Sequence, residues 1–169
     1  ISAKTKILPL NENFEIVLDD YKQPNGGIII TNPNAPTSIA LGLSAIEEVL
    51  QANPNSVVVI DEAYVDFGAE SAVALVEKYE NLVVCQTTSK SRSLAGLRVG
   101  FAIAQPHLIA ALEAVKNSFN SYPIDRFAIA AAVASFDDQA YFEAQNNKVI
   151  VSREKLVIHL EEMGFKVLP

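Results

Sequence analysis

One lysine, Lys90, stands just past the apolar run Asn81–Gln86, inside the stretch CQTTSKSRSLAGLRVGF. Thr87 and Ser89 lie just before it, and Arg98 follows eight residues later. A lysine amine at a strand end can form a Schiff base, and a partly dry pocket would keep a share of it neutral and nucleophilic. Arg98 offers a planar fork to a phosphate group, and the Thr87 and Ser89 hydroxyls can add hydrogen bonds to it. Together they describe a site for a phosphorylated aldehyde. If that aldehyde carried a pyridine ring, a carboxylate at the ring nitrogen would be needed. Asp61, closing the run VVVIDEAY, could supply it, and Tyr64, three residues on, could bond a ring hydroxyl.

Asp61 and Glu62 also admit another reading. An acidic pair after an apolar strand can hold Mg²⁺ and water in a nucleotide hydrolase. That chemistry also needs a phosphate loop of the form GxxxxGK[ST]. None of the seven glycines opens such a motif. A carboxylate that merely caps the next loop is the bland alternative.

These residues need strands to carry them. Gly26–Asn32, Ser56–Glu62 and Asn81–Thr87 are β-branched runs without polar alternation, the pattern of strands buried on both faces of a parallel sheet. Lys6–Leu10 and Leu97–Ala104 read as further strands. Helical spacing marks Leu43–Asn53, which stops before Pro54, and Ser71–Glu80. His107–Phe119 and Asp125–Phe136 read as helices, and Gln139–Gly164 as one long helix or two joined, closed by Gly164. Alternating strands and helices predict an α/β fold, a doubly wound, mostly parallel sheet with flanking helices. Ligands on such sheets bind beyond the carboxyl ends of the strands. There the clusters TNPNAPTS, DEAY and TTSK meet.

Composition narrows the partners. A net charge of −7 over 169 residues lacks the basic footprint of a nucleic-acid or anionic-membrane binder. No run approaches the roughly 18–20 apolar residues of a membrane span. Cys85 is the only cysteine, so no internal disulfide can form; it reads as a small core residue in a reducing, cytoplasmic setting. His107 and His159 share no metal-ligand spacing, so no metal is expected. Glu47, Glu48, Glu161 and Glu162 read as solvated helix faces. Phe119, Tyr122, Phe127, Phe136, Tyr141 and Phe142 read as core or subunit contacts, and Arg92 as solvated or near an interface. Both ends read as if cut from a longer chain, which would expose apolar surface and favour self-association.

NPNAPT, VIDEAYVDF and TTSKSRSLAGLRVGF, taken together, resemble the fold type I pyridoxal-phosphate aminotransferases, most of all their histidinol-phosphate branch. The resemblance covers essentially the whole chain, against a family chain about twice as long. It implies a homodimeric enzyme moving an amino group between histidinol phosphate and the glutamate/2-oxoglutarate pair. Residues 1–140 would be part of the cofactor-binding large domain, and 141–169 the connecting helix and the start of the small domain. Such a piece would be incomplete and inactive, or a folded module without catalysis. Lys90 would carry the cofactor, Asp61 pair with its ring nitrogen and Tyr64 with its ring hydroxyl. Arg98, Ser89 and Thr87 would hold the phosphate. Two positions depart from the pattern. Ala35 stands where the family places an asparagine against the ring hydroxyl, and Ser38 where it places a glycine. Asn34, one residue earlier, is the candidate substitute.

Overall fold

A computed structural model describes residues 4–168. Four strands form one sheet in the sequential order β1 (Ile28–Thr31), β2 (Val58–Asp61), β3 (Leu82–Thr87), β4 (Gly100–Ala104). The first three run parallel, with Ile30 opposite Ile60, Ile60 opposite Val84, and Asp61 opposite Cys85. The chain between β3 and β4 holds only a short 3₁₀ turn, Ala95–Leu97. With no crossover helix to carry it to the far end, β4 returns antiparallel beside β3.

Alternation along the strands puts Ile28, Ile30, Val58, Ile60, Leu82 and Val84 on one face, and all are buried. Helix α1 (Leu43–Ala52) covers that face with Ile46, Val49 and Leu50, spaced for one helical side. Its end is fixed by Asn53, whose buried amide donates to the carbonyls of Val49 and Tyr21, and by Pro54 beyond it. Each such aliphatic side chain stabilises the fold by about 1.5–3 kcal/mol relative to exposure.

The other face differs from expectation. β1 is not buried on both sides, because Ile29 is 75% exposed and Thr31 is open to solvent. Lys6–Leu10 forms no strand, and the last strand begins only at Gly100. The helix expected over Ser71–Glu80 is a single 3₁₀ turn, Ala72–Leu75. Ser71 caps it by accepting from the Val73 amide, and the buried Glu62 carboxylate takes the Ala72 amide. The turn is thereby tied to the end of β2, and β3 follows before a longer helix can form.

Three helices complete the chain: α2 (Pro106–Phe119), α3 (Arg126–Asp137) and α4 (Gln139–Glu162). Asp125 caps α3, and Asp138 both ends α3 and caps α4 by accepting from the Tyr141 amide. The expected division near residue 140 thus falls at the first turn of α4. Gly164, at φ 89°, closes α4, with its amide on the Glu161 carbonyl and the Phe165 amide on that of Leu160. This is a Schellman ending, and only glycine takes that backbone shape without strain.

Candidate functional site

Parallel register between β2 and β3 places Asp61 beside Cys85, so the loops leaving both strands open on the same edge. From the β2 loop comes Tyr64, 38% exposed; from the β3 loop comes Lys90, also exposed. The Lys90 ammonium lies 5.1 Å from the Tyr64 ring centroid, within cation–π range. Among the described residues no carboxylate pairs with Lys90. By contrast, Lys22 is held by Asp19 and Glu48, and Lys78 by Glu47. Hydrogen bonds donated to those acids push both amines above the usual lysine range. The partly dry pocket expected around Lys90 is absent: the amine faces an open edge.

Asp61 is half-buried and accepts the Ala63 amide through Oδ1 at 3.1 Å, which orients the carboxylate. Its Oδ2 has no partner among the described residues. Cys85 beside it is half-buried rather than core; burial, reinforced by the Asp61 charge, pushes its thiol up.

At the end of β3, Thr87 Oγ1 lies 3.2 Å from the Val99 carbonyl and 3.0 Å from Ser89 Oγ, and accepts the Ser89 amide. One hydroxyl hydrogen cannot serve both oxygens. When the Thr87 hydrogen goes to Ser89 Oγ, the Ser89 hydroxyl keeps its own hydrogen for a ligand. Thr88, fully buried, ties the same Val99 carbonyl through its amide and hydroxyl. Arg98 follows in the left-handed region at φ 56°, exposed, its Nη1 donating to the Ala95 carbonyl at 2.9 Å. The structure thus gathers Asp61, Tyr64, Thr87, Ser89 and Lys90 at one edge, and leaves the Arg98 guanidinium folded on its own turn.

Both ends of the Asn34 amide are engaged: Oδ1 accepts from Thr31 and Nδ2 donates to Thr37. Ala35 beside it offers no polar group. Asn32, fully buried, clamps the same loop through two hydrogen bonds with the Leu41 backbone.

The loop-capping reading of the acidic pair holds for Glu62, whereas the long-range ties of Ser91 and Arg92 carried no sequence signal. Glu62, 2% exposed, accepts from Ser71 Oγ, the Ala72 amide and Gln86 Nε2, so it joins loops inside the fold. That removes the second carboxylate from any Mg²⁺ site, and no cluster of three potential ligands occurs among the described residues. Ser91 donates to Asp66. Arg92 lies 3.9 Å from the centroids of both Phe136 and Phe142 and donates to the Ser135 carbonyl at 2.6 Å. Burial there lowers its pKa, with Asp66 opposing the shift. Its partners lie more than 40 residues away, so no local spacing signals them.

A cavity of about 570 Å³ lies against Lys4–Leu8, Asp20, Tyr21 and Gln23–Ile29, and one of about 240 Å³ against Phe14 and Leu41. Neither is lined by Lys90, Asp61 or Tyr64. A pyridine-ring aldehyde phosphate nonetheless fits the donor set on the open edge: a carboxylate oxygen, a phenol, an unpaired amine and a serine hydroxyl.

The family of class I and II aminotransferases matches residues 3–169. A histidinol-phosphate aminotransferase of Acinetobacter baumannii (strain AYE) is 83% identical over 167 residues, covering 99% of this chain and 46% of its own length. The chain therefore spans about half the length of the curated relatives it matches. The solved histidinol-phosphate aminotransferase from Clostridium acetobutylicum superposes with TM-score 0.86 at 26% identity, over 95% of this chain and 50% of that one. The fold is shared as well by the enzyme from Sinorhizobium meliloti solved in complex with pyridoxal-5'-phosphate, at TM-score 0.82 and 24% identity, over 96% of this chain and 46% of that one. The chain belongs to the class I and II aminotransferase family.

Proposed function

We propose that this chain is the cofactor-carrying core of a pyridoxal-phosphate aminotransferase that moves an amino group between histidinol phosphate and the glutamate/2-oxoglutarate pair. It would act as a cytoplasmic homodimer. One observation carries the reading: the parallel β2–β3 register puts the unpaired Lys90 amine against Tyr64, at the edge where the Asp61 carboxylate keeps a free oxygen. The names of the relatives support the substrate, and the S. meliloti complex supports the cofactor.

When bound, pyridoxal phosphate supplies a ring that takes up the electron pair left on a substrate carbon as its proton departs. Asp61, with Oδ2 free, would hold a proton on the ring nitrogen. The Tyr64 hydroxyl orients the ring through its own oxygen substituent. Ser89 Oγ, braced by Thr87, donates to the phosphate, and the exposed Arg98 fork can turn from the Ala95 carbonyl to the same anion. Lys90 Nζ would hold the aldehyde carbon and, with the substrate amine in its place there, would accept and return the substrate proton.

Titration of wild type and Lys90→Ala with pyridoxal phosphate tests this. A saturable visible band on wild type that the variant lacks supports the reading; identical titrations sink it. A second reading, a folded cofactor domain without turnover, is favoured by the open face at Ile29 and Thr31. It keeps the Lys90-dependent band but yields no glutamate from histidinol phosphate and 2-oxoglutarate.

A further inference from the structure

Lys90 presents a long, exposed side chain to Tyr64 without a hydrogen bond or ion pair at Nζ among the described residues. Its position therefore depends on how the loop Thr88–Val99 is held. Three ties hold it. Thr88 fixes the base to the Val99 carbonyl, Ser91 reaches Asp66 on the loop that carries Tyr64, and Arg92 reaches the corner between α3 and α4. That corner is rigid for local reasons. Asp138 serves both helix ends, Phe136 comes from the last turn of α3 and Phe142 from the first turn of α4. Phe136 also stacks edge-on against Phe101 of β4, with centroids 5.7 Å apart.

We infer that Arg92 is a positioning residue for Lys90: its flat guanidinium, packed on Phe136 and Phe142 and bonded to Ser135, sets where the Lys90 amine stands relative to Tyr64 and Asp61. The inference rests on the reading of Lys90 as the cofactor-bearing amine. Geometry favours position over charge as the role. A guanidinium stacks on two rings and still directs an N–H to a carbonyl, which an ammonium cannot reproduce. Arg92 lies two residues from Lys90, and the Ser93 amide bonds the Lys90 carbonyl itself, so displacement of the clamp reaches Lys90 through one short turn.

The test uses the whole chain as wild type, Arg92→Lys and Phe142→Leu. Each is exposed to pyridoxal phosphate, reduced with borohydride at timed intervals and mapped by peptide mass spectrometry. A neutral acylating reagent, used on separate cofactor-free samples, reports whether the Lys90 amine remains accessible. We expect capture at Lys90 to slow on the order of tenfold in Arg92→Lys, because small misplacements of a reacting group cost rate steeply. Phe142→Leu, which leaves Arg92 and one ring, should slow it less. Acylation of Lys90 should change less than about twofold, within the range of a displaced but still exposed amine. A purely structural Arg92 would lower the melting temperature and leave capture per folded molecule unchanged, and that result overturns the inference alone. So does capture at the wild-type rate in Arg92→Lys, since charge would then suffice. Label scattered over surface lysines in wild type overturns the reading of Lys90, and the inference with it.

Discussion

The two faces of the sheet are built from similar residues and covered unequally. On the α1 side Ile28, Ile30, Val58, Ile60, Leu82 and Val84 interlock with Ile46, Val49 and Leu50. On the other, Val83 is buried between the strands, but Ile29 is exposed and Asp61 and Cys85 are half-buried. Asp61 and Glu62 condense the contrast into neighbours. Glu62 turns inward and meets three donors, so its charge is fully answered inside the fold. Asp61 turns to the open face with one oxygen bonded and one free. Stability and chemistry are thus segregated by strand alternation, and a one-residue shift of β2 would exchange them.

Substituting one residue type on both faces breaks the comparison most strongly. Ile60→Ala should cost about 4 kcal/mol, a transfer loss plus a cavity. Ile29→Ala should change stability by less than about 0.5 kcal/mol. Urea denaturation of the two variants checks this, and similar losses would mean that the open face is packed. Next come the acids. Glu62→Ala should cost about 3 kcal/mol by stranding Ser71, the Ala72 amide and Gln86, while Asp61→Asn should stay within about 0.5 kcal/mol. Asp61→Asn should instead weaken retention of pyridoxal phosphate about tenfold, corresponding to about 1.4 kcal/mol, measured by equilibrium dialysis.

The smallest effect concerns Cys85. Its raised pKa means that the folded state favours the neutral thiol. Alkylation between about pH 8 and 9 should therefore run slower than for a free cysteine and rise with pH through a midpoint above the ordinary thiol value. The linkage has the matching sign: the thiol's contribution to stability is present below the ordinary cysteine pKa and is lost as pH rises through the folded value. Removing the Asp61 charge should speed alkylation at fixed pH, with burial keeping the midpoint elevated. Equal rates in wild type and Asp61→Asn would place the Asp61 charge too far away to matter.

Much of this was legible from local signals. The apolar runs located β1 to β3, Pro54 and Gly164 marked helix ends, and the strand-end rule brought Asp61, Tyr64 and Lys90 to one edge. What escaped depends on distant partners. Runs such as Gly26–Asn32 look alike whether one face or both is covered, so the exposure of Ile29 carried no sequence mark. Ser71–Glu80 has helical spacing, yet the bond from Ala72 to Glu62 ties its start to β2. Arg92 reads as a surface charge until Phe136 and Phe142 are brought to it by the turn at Asp138.

We propose that Lys90, of all the lysines, is the amine that takes the aldehyde. Among the described lysines without a carboxylate partner, Lys90 is the one held beside a tyrosine ring at the β3 edge. One equivalent of pyridoxal phosphate, borohydride reduction and peptide mapping would decide it. The account predicts the reduced label on Lys90 alone. Label distributed among the lysines, or concentrated on one away from the β3 edge, would contradict it.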